Sequence, residues 1–204
     1  MTYIHEVFLP QTLEAAKHVA LTSDPQDPQK FERETQFLVD FLRAQELVSA
    51  DTRVLDFGCG MGRVAKALIE QVGCAVEGTD SSPAMRHFAE VYVASPKFRV
   101  SEEPTTVADL ALACFVLQHV EYPEREAETL YRHLAPHGTL VLVNEPRRFV
   151  PSGVDREGYV VWNDDRIDIE QILGEYFVCK SRHAYCTRPE PILSVWSRKE
   201  SPTA

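Results

Sequence analysis

The chain is predicted to be α/β, with a doubly wound, mostly parallel sheet carrying helices on both faces, and three observations lead there. Along most of the 204 residues, short β-rich apolar runs alternate with segments of helical periodicity. Residues 54–63, Val-Leu-Asp-Phe-Gly-Cys-Gly-Met-Gly-Arg, pass from apolar side chains through an acid into three glycines at alternate positions. A second run, Cys74 to Asp80, again ends on an acid. Together they describe strand, glycine turn, helix and strand, the unit from which open parallel sheets are assembled.

The elements follow in order. Residues 11–20 and about 28–48 read as helices ahead of the sheet. The second carries Phe31, Thr35, Leu38 and Leu42 along one face, with Phe37 and Phe41 beside it. Ser23-Asp24-Pro25-Gln26-Asp27-Pro28 between them is expected to be a turn and a helix start. Strands are expected near 53–57, 74–79, 97–101, 108–115, 138–144, 177–184 and 191–198, and helices near 63–72, 83–93, 123–135 and 166–175. The helix after the glycine turn repeats Val64, Ala67, Leu68 and Val72 on one face. Ser82 and Pro83 have the character of an N-cap and first helical residue. Pro123 opens another helix, with Ala127, Leu130, Tyr131 and Leu134 on one side and Pro136-His137-Gly138 stopping it. The domain organisation expected is an N-terminal helical segment, 1–50, capping one sheet domain, 51–199, with a short tail at 200–204.

Spacing around the glycines bears on the ligand. A dinucleotide fingerprint, G-x-G-x-x-G or G-x-G-x-x-A, needs a small third residue where this chain has Arg63, and here the third glycine comes early, at Gly62. Asp56, two residues before Gly58, would repel a pyrophosphate and attract a cation. Bare backbone at Gly58, Gly60 and Gly62 lets a nucleoside-sized group lie against the peptide. Asp80 stands where nucleotide-binding α/β folds place the acid that takes ribose hydroxyls.

Four stretches, VLDFGCGMGR, GTDSSPAM, ADLALACFVLQHV and LAPHGTLVLVNE, resemble in order and spacing the successive motifs of the class I S-adenosylmethionine (SAM)-dependent methyltransferases. The likeness is close over roughly residues 50–145 and holds in outline beyond. It implies a Rossmann-like seven-stranded sheet whose last strand is inserted antiparallel, SAM as cofactor and S-adenosylhomocysteine (SAH) as product. Carried onto this chain, Asp56 and the backbone of Gly58, Cys59, Gly60 and Gly62 would hold the methionine end. Asp80, with Ser81 beside it, would take the ribose, and Met85 would lie against the adenine. Cys114 and Phe115 would border the methyl group. The family's acidic-then-apolar pair after the third strand is replaced here by Phe98-Arg99-Val100-Ser101-Glu102-Glu103-Pro104, leaving Ser101 or Glu102 to grip the adenine.

Composition narrows the function classes. No segment approaches the roughly 20 apolar residues of a membrane span, and the Met-Thr-Tyr-Ile-His-Glu start has no signal-peptide character, so a cytoplasmic protein is expected. Five cysteines without a C-x-x-C pair suit reduced thiols and no metal site. With 31 acidic and 21 basic side chains, net charge −10, nucleic acid is a poor partner and a small-molecule substrate is favoured. Arg147, Arg148 and Arg156 are read either as solvated loop arginines or as a site for one anionic group.

Methyl transfer from a sulfonium is an in-line displacement that asks mainly for alignment and exclusion of water. Should the acceptor need a base, His119 after the fourth strand is the first candidate and Glu145 after the fifth the second. The alternative for His119 is a structural cap on its turn, and for Glu145 a solvated or capping carboxylate. Residues 145–165, with Phe149, Tyr159 and Trp162, are read as a lid over the substrate or as a short hairpin packed on the domain. Two other readings stand beside methyl transfer: an NAD-dependent oxidoreductase, disfavoured by Asp56 and Arg63, and a non-catalytic SAM-binding sensor or partner protein.

Overall fold

A computed structural model describes residues 3–21 and 27–200; most of the turn expected at 23–28 and of the tail at 200–204 lies outside them. A 3-10 turn, His5–Phe8, leads into α1 (Leu13–Ala20) and α2 (Lys30–Ala44). The sheet strands are β1 (Arg53–Phe57), β2 (Ala75–Thr79), β3 (Phe98–Ser101), β4 (Ala108–Cys114), β5 (Leu134–Val143), β8 (Phe177–Tyr185) and β9 (Arg188–Arg198). Between them run α3 (Arg63–Gln71), α4 (Pro83–Val93), α5 (Pro123–Arg132) and α6 (Ile169–Tyr176), while β6 (Val150–Val154) and β7 (Val160–Asn163) form a separate antiparallel hairpin.

The seven strands lie in the order β3-β2-β1-β4-β5-β9-β8. β1 to β5 are parallel, and β9 enters antiparallel between β5 and β8. Both faces are covered, as the continuous apolar runs require. Val54, Val76, Leu110, Leu112 and Val141 pack under α2 and α3 with Leu38, Leu42, Val64 and Leu68. Their neighbours Leu55, Ala111, Ala113, Leu140 and Leu142 pack under α5 and α6 with Leu130 and Leu173.

Several ends fall elsewhere than expected, each for a local reason. The helix expected to reach residue 48 stops at Ala44, because Glu46 turns left-handed at φ 54° and the Leu47 amide returns to the Leu42 carbonyl at 2.9 Å. α5 stops at Arg132: the Ala108 amide takes the His133 carbonyl at 2.8 Å and Leu134 already pairs with Ala108, four residues before the expected strand start. α6 begins at Ile169 instead of 166, where the Asp168 side chain accepts the amides of Glu170 and Gln171. β9 begins at Arg188 instead of 191, since Cys186 adopts φ 54° and closes a tight hairpin that pairs Tyr185 with Arg188. Because β9 runs against β5, its early start carries Arg188 past the carboxyl ends of the parallel strands.

Candidate active site

The glycine turn is built as a backbone cradle. The Cys59 amide donates to the Thr79 carbonyl at 2.8 Å, and the Gly62 amide to the Cys59 carbonyl at 2.9 Å, with all three glycines at positive φ. Gly58 and Gly60 line a cavity of about 1010 Å³ at the carboxyl edge of the sheet. A Cβ on Gly58 would stand 2.4 Å from Val116 Cγ2, so only glycine leaves the backbone open there.

Gly62 and Cys59, both expected at the cofactor, are not among the lining residues. Gly62 caps α3 and lets it approach α4, where an added Cβ would meet Val93 Cγ2 at 2.5 Å. Gly62→Ala is therefore expected to cost about 2 kcal/mol of stability, lowering the melting temperature by roughly 5 °C in a calorimetric scan. An unchanged melting temperature would contradict this packing role. The Cys59 thiol is buried against Gly78, and burial raises its pKa well above the usual range. It belongs to the core.

Asp80 joins the two strand ends. Its Oδ2 accepts the Gly60 amide and its Oδ1 the Ser82 amide, both at 2.9 Å, so the carboxylate is oriented by backbone while lining the cavity. Burial raises its pKa, and the two N–H bonds oppose that. Ser81, Met85 and Glu102 line the cavity beside it. Ser101 does not: its hydroxyl donates to the Glu103 carbonyl at 2.8 Å. Of the two adenine candidates the structure brings only Glu102 to the cleft.

Asp56 is also displaced from its expected place. It is 3% exposed and does not line the cavity; it sits beneath the turn, facing Arg63 and accepting the Ala65 amide, with Oδ2 unpartnered. The N-terminal amides of α3 draw the carboxylate inward. Arg63, the residue that breaks the dinucleotide pattern, is itself buried and donates to Thr35 Oγ1 at 2.8 Å, tying α3 to α2.

Cys114, Phe115, Gln118, His119 and Glu145 line the same cavity. Burial pushes the Cys114 thiol up to about 12, leaving it a neutral wall. Phe115 turns out of β4 at φ 59°, and the Arg188 guanidinium lies 5.2 Å over its ring. Neither predicted base stands free. Glu145 Oε1 is ion-paired with Arg188 Nη1. His119 Nδ1 lies 2.7 Å from the Phe149 carbonyl and Nε2 3.0 Å from the Gln118 side-chain nitrogen. Burial holds this imidazole below its usual pKa, with the Arg148 charge adding to that and the Phe149 bond and the Glu145 charge opposing it.

The 145–165 segment resolves as the β6–β7 hairpin, held down rather than loose. Arg148, 1% exposed, reaches both Asp165 and the Val120 carbonyl, so it is a buried strut and neither a solvated arginine nor an anion site. Trp162 packs on His119 at 5.3 Å between centroids and on Phe8 at 6.3 Å, while the Ile4 amide donates to the Pro151 carbonyl at 2.8 Å. The N-terminal segment thus roofs the site with the hairpin. Tyr3 lines the cavity as well; burial pushes its phenol up to about 12, with the Glu121 charge adding to that. The sequence offers the N-terminal segment with Tyr3, His5 and Phe8 as a source of substrate contacts over this edge, and Tyr3 and Phe8 do line the cavity, whereas Arg188 carries no local motif that marks it.

An open parallel sheet with a backbone cradle at β1 and a fixed acid at β2 defines a nucleoside-binding α/β protein. A methyltransferase-domain family model matches residues 14–189. Carboxy-S-adenosyl-L-methionine synthase from Salmonella arizonae is 33% identical over 113 residues, 48% of this chain and 46% of that protein. The same enzyme from Vibrio parahaemolyticus is 28% identical over 116 residues, again 48% and 46%. The matched stretch is about half the length of these curated relatives. Among solved structures, N-methyltransferase NodS from Bradyrhizobium japonicum, in complex with SAH, superposes with a TM-score of 0.59 at 20% identity, covering 94% of this chain and 100% of that one. Magnesium protoporphyrin IX methyltransferase from Synechocystis gives 0.61 at 18% identity over 85% and 86%. These two likenesses are of fold. The chain belongs to the class I SAM-dependent methyltransferase family.

Proposed function

We propose that the protein transfers a methyl group from SAM to a small-molecule acceptor by in-line displacement, and that it does so in the cytoplasm. The observation that carries the donor half is Asp80, whose two oxygens are fixed by the amides of Gly60 and Ser82 at the rim of the glycine cradle. A carboxylate so held presents its remaining lone pairs to a ribose diol. Gly58 and Gly60 offer backbone to the methionine end, with Lys30 of the N-terminal segment bringing positive charge to the cavity. Met85 and Glu102 supply the adenine wall.

SAM, when bound, supplies a methyl group already activated by the sulfonium; the chain aligns and shields it. A volume of about 1010 Å³ is at the upper end of small-molecule sites and leaves room for a second small molecule beside a nucleoside. Phe8, Phe115, His119, Phe149 and Trp162 wall that second space with rings that exclude water. The location is supported by five free thiols and by helices none of which, among the described residues, is long and apolar enough to cross a membrane.

Isothermal calorimetry tests the donor directly. SAM and SAH are expected to bind with dissociation constants in the micromolar range, and NADH not at all. Binding of NADH in preference to SAH would overturn the reading.

A further inference from the structure

We propose that Gln118 is a positioning residue whose side-chain amide fixes His119 as the neutral Nδ1–H tautomer with its lone pair engaged, so that His119 is not the proton acceptor of the reaction. The Glu145 backbone amide lies 2.7 Å from Gln118 Oε1, and a backbone N–H can only donate. That contact fixes which end of the Gln118 amide is oxygen, and so places the NH₂ group 3.0 Å from His119 Nε2. An amide nitrogen also only donates, so Nε2 must accept. The ring proton then sits on Nδ1, 2.7 Å from the Phe149 carbonyl, which can only accept. Every link from Glu145 through Gln118 and His119 to Phe149 runs in one direction.

The surroundings hold this state in place. Gln118 is 5% exposed, and its own carbonyl accepts the Phe149 amide at 2.9 Å, so the strand-four turn and the chain leading to β6 are joined twice. The rings of Phe8 and Trp162 pack on the imidazole. The charged groups acting on it are Arg148, which disfavours protonation, and Glu145, which favours it but is itself paired with Arg188. A second proton on the ring would put an Nε2–H against an NH₂ group, donor against donor. His119 therefore serves as a splice between the turn and the roof.

A consequence follows for the acceptor, and it rests on the methyl-transfer reading of this cavity. With the His119 lone pair taken and Glu145 directed at Arg188, the site favours a nucleophile from which no proton has to be removed as it attacks. An alcohol, which must lose a proton as it attacks, does not meet that requirement.

Long-range proton–nitrogen NMR on histidine-labelled protein tests the assignment without knowledge of the acceptor. In the wild type, His119 is expected to show a protonated Nδ1 and a bare Nε2 across pH 6 to 8. Gln118→Glu replaces the donor facing Nε2 by an acceptor; it is expected to draw a proton onto Nε2 and to raise the His119 titration midpoint by one unit or more. A wild-type Nε2–H tautomer, or an unchanged midpoint in Gln118→Glu, overturns the proposal. Should that variant not fold, the wild-type tautomer decides alone. SAH added to uniformly nitrogen-15-labelled protein should shift the Gly58 and Gly60 amides, and their failure to move would count against the donor site while leaving the tautomer result standing.

Discussion

Asp80→Ala is expected to weaken SAM binding at least tenfold, about 1.4 kcal/mol, with an unchanged dissociation constant by calorimetry as the result that would sink the ribose role. Charge-assisted hydrogen bonds to the two ribose hydroxyls already account for that much. The structure adds a second loss, because the same carboxylate accepts the Gly60 and Ser82 amides. Removing it leaves two N–H groups without their partner, and each buried unsatisfied donor costs about 1–3 kcal/mol. The glycine cradle should therefore loosen even in the free protein, visible as faster amide exchange at Gly60 than in the wild type. Unaltered exchange with lost affinity would confine Asp80 to ribose contact; altered exchange with retained affinity would make it a turn former only.

That double duty explains why the donor half of the site was legible in the sequence. Strand, glycine turn and acid are local features whose spacing reflects local backbone geometry, and β1 and β2 end where the apolar runs end. Asp56 shows the limit of that logic: its residue type was readable, but which way its side chain points depends on the N-terminus of α3, so an acid expected at the ligand lies under the turn. The acceptor half was much less legible. It is assembled from Phe8, His119, Phe149, Trp162 and Arg188, which come from five separate segments and meet only after β9 inserts and β6 and β7 pair. Arg148 reads in sequence as half of an exposed basic pair, yet it is the deepest strut under the hairpin. No periodicity encodes that, because the partners that bury it, Val120 and Asp165, lie 28 and 17 residues away.

The unfolding free energy is expected to fall as pH rises from 5 to 7.5, with the change centred near pH 6, and Asp56→Asn is expected to flatten that slope. Burial raises the Asp56 carboxyl to about 6, opposed by Arg63 and the Ala65 amide and reinforced by Asp80. The ordinary carboxyl value, near 4, applies in the unfolded chain. A folded pKa above the unfolded one means the native state holds the proton more tightly. Its contribution is thus complete below about pH 4 and is lost as pH rises through 6. Two units of difference set the ceiling at about 3 kcal/mol. Asp80 is shifted in the same direction by burial, so the Asp56 contribution is read from the comparison of the wild type with Asp56→Asn. Chemical denaturation at four pH values measures it; equal slopes in the two proteins would show that Asp56 is not the titrating group. Above pH 6 the free protein carries a buried carboxylate with one oxygen unpartnered beside its ligand cradle. A cation bound at that cradle relieves the cost, so SAM should raise the melting temperature more at pH 7.5 than at pH 5.5, whereas SAH, whose sulfur carries no charge, should show much less of that difference.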